Sequence, residues 1–146
     1  HIARYLVGKF DPADRLGVRS ERVADLNRLA VVNTIMNNEV VLLLAQRGGV
    51  ADLEGVAYFR KLMQAIDQGL AWLEGHTDPE RGDFDYRDIA TICLWQHMLH
   101  YAVTPGLTNY RRIAARVERF AERPSVARTT PAVSLAEALA AGWSPG

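Results

Sequence analysis

A chain of 146 residues is long enough to bury one hydrophobic core without disulfides or structural metals. Its 17 basic residues are matched by 17 acidic ones, so no net field draws it to nucleic acid or to an anionic membrane surface. One cysteine forms no internal disulfide, the longest apolar run (VVLLLA, 40–45) is far short of the roughly 20 residues that cross a bilayer, and no signal peptide opens the chain. A cytoplasmic protein with neither a nucleic-acid nor a membrane partner is expected.

IARYLVGKF reads as the last two turns of a helix, with Ile2, Tyr5 and Leu6 on one side. The chain opens at His1, inside that pattern, which suggests the later part of something longer. Pro12 and Gly17 mark an extended connector, and Ser20 is placed to cap a long helix. Val23, Leu26, Leu29/Ala30, Val32/Asn33, Met36, Val40 and Leu43/Leu44 trace an apolar stripe that runs to a stop at Gly48-Gly49. A third helix is predicted from about Asp52 to Glu74, on Phe59, Leu62/Met63, Ile66, Leu70 and Leu73. GHTDPERGD is a polar loop before a fourth helix. Thr104 as cap and Pro105 at the first helical position open a fifth, from about Leu107 to Glu122. Pro124 closes it, and Ser125 and Ser134 are placed to cap two short C-terminal helices. No stretch alternates over a strand length, so an all-α bundle of about five main helices is expected.

The fourth helix begins with the densest group of chemistry-bearing residues, GDFDYRDIATICLWQHMLH at 82–100. Asp85 and Asp88 fit a capping box, in which each carboxylate accepts from a backbone N–H at the other's position. Phe84 before the cap and Ile89 after it hold the two positions of a hydrophobic staple. Both acids meet the positive end of the helix dipole, and such a cap contributes about 1–2 kcal/mol. A structural role is therefore expected rather than a catalytic carboxylate pair. Cys93, His97 and His100 share one helical face and are zinc-ligand types. Yet they span about 10 Å of helix axis, whereas a zinc ion needs every donor within about 2 Å. No metal site is expected there.

Arg112, Arg116, Arg119 and Arg123 form a stripe interrupted by Glu118 and Glu122, which reads as a solvated face. The acidic loop DPERGDFD lacks the spacing of a calcium loop. Asn33, Asn37 and Asn38 are unusual in the middle of a helix, and either a solvated contact or the polar wall of a ligand cleft accounts for them.

These segments resemble a known family. GDFDYRDIA is similar to the capping-box-and-staple segment of the glutathione S-transferases, and RFAERPSVARTTPAV to the arginine-proline turn that follows it there. IARYL with its Pro-containing connector is similar to the end of that family's N-terminal domain, and SERVADLNRLAVVNTIMNNEV to the first helix of its helical domain. The resemblance is to the C-terminal helical domain of a bacterial, beta-class-like member.

It implies residues 1–10 as the tail of a thioredoxin-like domain, 11–19 as linker and 20–146 as the helical domain. Glutathione would be the co-substrate, bound mainly by the absent domain, which would also supply the catalytic residue. No catalytic residue is therefore expected in this chain. The helical domain would receive a small hydrophobic electrophile and take part in a homodimer. Asn33, Met36, Asn37, Asn38 and Val40 would border the cleft, with Asn37 and Asn38 standing where similar bacterial members carry a His-Lys pair. Two other readings are a non-enzymatic interaction module and an unrelated helical protein that binds a metal or small ligand.

Overall fold

The computed structural model describes residues 2–144, so His1 and the last two residues of the expected helical domain lie outside it. In chain order the helices are α1 (Ile2–Phe10), α2 (Val23–Arg47), α3 (Ala57–His76) and α4 (Tyr86–Tyr101), then α5 (Arg111–Arg119), α6 (Pro124–Ala127) and α7 (Pro131–Ala140). A single 3-10 turn at Leu107–Asn109 precedes α5, and the described residues contain no strand. The class is all-α, as expected.

The core lies where α2 packs on α3 and α4, with α5 closing one side. Ile35 and Leu42 of α2 meet Ile66 and Leu70 of α3, Leu94 and Met98 of α4, and Ile113 of α5, all wholly buried. Helices α2 and α3 approach closely because Gly69 carries no side chain: a Cβ there would lie 2.8 Å from Ile35 Cγ1.

Several local expectations are corrected. Ser20 is not the cap of α2, because its hydroxyl donates to Asp25 Oδ2 at 2.6 Å and the helix starts two residues later, after Arg22. α3 starts at Ala57 rather than near Asp52, because Asp52 Oδ1 accepts from Gly55 N–H and holds the preceding residues in a turn. The fifth helix is shorter than predicted. Thr104 does not cap it; the Glu74 carboxylate reaches over from α3 and accepts from Arg112 N–H (2.8 Å) and Ile113 N–H (3.0 Å). Ser125 and Ser134 cap nothing: α6 opens on Arg123 with Pro124 at its first position, and the Thr130 hydroxyl caps α7.

The α2 stripe is corrected as well. Its buried side carries Val32, Ile35, Glu39 and Leu42, whereas Val23, Leu26, Val41 and Leu44 are exposed. The helix is apolar on two faces, so periodicity alone did not choose between them. By length and composition α2 is the one described helix able to cross a bilayer, which the short run at 40–45 did not suggest. Its packing between α3 and α4 is that of a core helix.

The connector is a chain of tight turns rather than an extended strap. Asp14, at φ 50°, accepts from Val18 and Arg19 N–H at 2.8 Å each. The loop docks on the start of α4, where Tyr86 N–H donates to Leu16 O (2.9 Å) and Arg87 Nη1 to Gly17 O (3.0 Å). Beyond it, α1 buries none of its residues.

Glu74→Ala should lower stability by about 1 kcal/mol, the value of an N-cap, in urea unfolding followed by circular dichroism. An unchanged midpoint would show that α5 needs no partner from α3.

Candidate functional site

The residues expected to border a ligand cleft lie midway along α2. Asn33 and Asn37 are exposed one turn apart, in line with exposed Leu26 and Leu44, while Met36 and Val40 are half-buried beside them. Asn38, the next residue along, is rotated by about 100° and half-buried round the helix from this row. The outward face of α2 is thus an apolar strip with two amides at its centre, and no other described helix covers it.

Directly behind this strip the same helix turns Glu39 into the core, with none of its surface exposed. His97 Nδ1 of α4 comes within 2.6 Å of Glu39 Oε2, but at an angle too poor for either atom to have a well-directed hydrogen bond. Burial raises the Glu39 pKa to about 6. Burial, and secondarily His100, lowers that of His97. Burial thus favours the neutral form of each member of the pair. Glu39 went unnoticed in the sequence, although it stands four residues after Ile35 and three before Leu42, a core spacing.

His97 faces Glu39, His100 packs its ring against Tyr101, and Cys93 is exposed. His97 also packs on Tyr101, with ring centroids 4.6 Å apart, so the two histidines flank one aromatic ring while Cys93 stands apart. Among the described residues no three His, Cys, Asp or Glu side chains gather closely enough to hold a metal ion.

The start of α4 is built as expected and then extended. Asp85 accepts from Arg87 N–H (2.8 Å) and Asp88 N–H (3.1 Å), while Asp88 Oδ2 accepts from Asp85 N–H (3.0 Å), which closes the capping box. Phe84 and Ile89 border one small cavity, and Phe84 packs on Phe120 with ring centroids 4.8 Å apart. Burial alone would raise the Asp85 pKa, but donors from Arg87 and Asp88 N–H, with Arg81 nearby, hold it below the usual carboxylate value.

Arg112, Arg119 and Arg123 of the arginine stripe are exposed, as a solvated face requires, but Arg116 is not. Arg116 is 1% exposed, and its Nε and Nη2 donate to the two Asp88 oxygens at 2.9 and 2.8 Å. Its remaining donors reach the Arg81 and Asp83 carbonyls. Arg123 stacks over Phe84 at 4.2 Å, and Arg119 lies 3.6 Å from Glu80. Arg81 bridges Asp85 and Asp88 (2.8 and 2.9 Å), and Arg87 bridges Asp85 and Asp25 (2.7 and 3.3 Å). A buried carboxylate demands a counter-charge, and Arg116 stands three residues after Ile113, on the core side of its helix. That spacing was the available signal.

No family model matches this chain, and no curated protein or solved structure does either.

Asp88→Asn should cost about 3–5 kcal/mol, because it strands the buried Arg116 charge, whereas Asp85→Ala should cost at least about 1 kcal/mol. Equal urea midpoints for the two variants would mean the network carries no more than a cap. For Glu39, the folded state keeps its proton to higher pH than the unfolded chain, so this group's contribution falls as pH rises from 4.5 through about 6. Glu39→Gln should therefore stabilise the protein at pH 7, by up to about 2 kcal/mol, with the gain vanishing below the unfolded-state value. His97 contributes the opposite slope, and because it lies 2.6 Å from Glu39 its titration changes with the substitution, so the difference reports on the pair. Thermal melts of the two proteins from pH 4 to 8 measure it; a pH-independent gap would rule out Glu39 titration.

Proposed function

We propose that this chain is the electrophile-binding and dimerisation domain of a cytoplasmic glutathione S-transferase-like protein. The observation that carries this reading is the uncovered apolar face of α2 with Asn33 and Asn37 at its centre. Soluble chains rarely leave an apolar strip of this kind in water unless it meets a partner or ligand. Helix α1 supports the same reading, since Ile2, Tyr5 and Phe10 are each at least 65% exposed, the state expected of a helix whose own domain lies elsewhere. The closed capping box at α4 is a further point of similarity to that family.

In the proposed protein an upstream thioredoxin-like domain binds glutathione and lowers the pKa of its thiol with nearby donors. The thiolate attacks a small hydrophobic electrophile held along α2. Met36 and Val40 offer apolar contact, and the amides of Asn33 and Asn37 orient polar substituents. Asn38, being turned away, shapes the helix behind them. Neither amide can act as a base, so catalysis would depend on the upstream domain. A second copy of the chain would cover the remaining apolar strip as a homodimer.

The alternative, a non-enzymatic interaction module, draws on the same exposed strip. The full-length protein, assayed with glutathione and 1-chloro-2,4-dinitrobenzene, separates the two. Under the transferase reading it conjugates the electrophile, and Asn37→Ala raises KM more than it lowers kcat. Absence of both conjugation and glutathione binding would leave the interaction module.

A further inference from the structure

A cleft lies away from the row of asparagines, between the start of α2 and the end of α3. It measures about 420 Å³ and is bordered by Asp25, Asn27, Arg28, Trp72, His76 and Arg81. Its charged groups differ in how far they are committed. Asp25 accepts from Ser20 Oγ (2.6 Å) and pairs with Arg87, while Arg81 is held by Asp83, Asp85 and Asp88. His76 Nδ1 lies 2.7 Å from Trp72 O, and its ring stacks on the indole at 4.0 Å.

Arg28 is the exception. Its side chain is only 12% exposed, yet it makes no hydrogen bond to any described residue, and its Nη2 stops 4.0 Å short of Asp88 Oδ1. Nε and Nη2 are sealed from solvent without a partner, so Nη1 is the nitrogen left toward the cleft. A guanidinium withdrawn from water without hydrogen-bond partners is costly; Asp88 and Asp85 offset part of that cost, while Arg81 and Arg116 add like charge. An anion at Nη1 would relieve both penalties.

Trp72 also borders an adjoining recess of about 340 Å³ along the α2–α3 seam, where Ala30, Val31, Ile35, Ala65 and Gly69 present mostly apolar surface. A charged end and an apolar end therefore meet at one indole. We propose that this groove binds a small amphipathic carboxylate, its carboxylate on Arg28 and its flat apolar body against Trp72 and the recess beside it. Arg28 is the charge that selects the acid, and His76 holds the Trp72 ring in place. The assignment is independent of the transferase reading, since it needs neither glutathione nor the outward face of α2.

Titration calorimetry of the purified full chain with sodium 1-naphthoate and with neutral 1-naphthamide tests it. The acid should bind at least tenfold more tightly than the amide, and Arg28→Met should remove that preference. The Trp72 indole N–H resonance, assigned by its loss in Trp72→Phe, should shift on adding the acid. Equal binding of acid and amide, absence of binding, or an unaltered preference in Arg28→Met would overturn the proposal. Inorganic phosphate competing as well as the naphthoate would also overturn it, leaving a charge-only site. Should Arg28→Met not fold, the acid-against-amide ratio and the Trp72 resonance decide on the unaltered protein.

Discussion

Asp88 is wholly buried, and an ionised carboxylate in that position must be matched oxygen by oxygen. Arg116 supplies the match from α5 with two parallel donors, which fixes the distance and rotation of α5 against α4. The same carboxylate closes the capping box, and Arg81 ties it to the loop before the helix. Through Arg87 the network extends to Asp25 on α2 and to the connector. Five segments of chain thus agree on one arrangement around a single acid. Such a pair adds little net stability compared with apolar packing, but it strongly penalises arrangements that separate its members. The relative placement of the helices, and with it the shape of the cleft between α2 and α3, follows from that penalty.

Helix α2 divides the molecule's two kinds of surface. Inward it presents Val32, Ile35 and Leu42 to the core, with Glu39 beside His97; outward it keeps an apolar strip in water. An ordinary surface helix would carry charge on that side. Between Asp25 and Arg47 its charged residues are Arg28 and Glu39, and both are turned inward. Both mid-helix charges thus turn toward α3 and α4, and the outer face keeps apolar residues that no other described helix covers.

Much of the fold was legible because local signals there agree. The order of helices, the Gly48-Gly49 stop and the capping box at Asp85 and Asp88 follow from periodicity and end chemistry that involve only near neighbours. What was not legible depends on partners distant in sequence. Glu74 caps a helix 38 residues away, a role no local pattern announces, and so Thr104 and Pro105 looked like the start of α5. The face of α2 was misjudged because apolar residues occur on both sides, leaving Glu39 as the informative residue: an acid at core spacing marks the inward side only when a buried partner such as His97 is known. Arg116 was lost among its neighbours for the same reason. Of the candidate ligand-facing residues, Asn33, Met36, Asn37 and Val40 do share a face, but Asn38 shows that adjacency in sequence separates side chains on a helix.

The docked connector carries a mechanical implication. Leu16 and Gly17 are tied by backbone carbonyls to Tyr86 and Arg87, while Val18 is buried and Asp14 locks the turn between them. A flexible tether would let α1 reorient freely and would transmit nothing. This one is short, hydrogen-bonded and anchored at the first turn of α4, so it behaves as a stiff lever arm. A displacement of α1 is delivered to the positive end of α4 and to the ionic network gathered there. The connector therefore couples α1, which buries none of its residues, to the ion-paired first turn of α4.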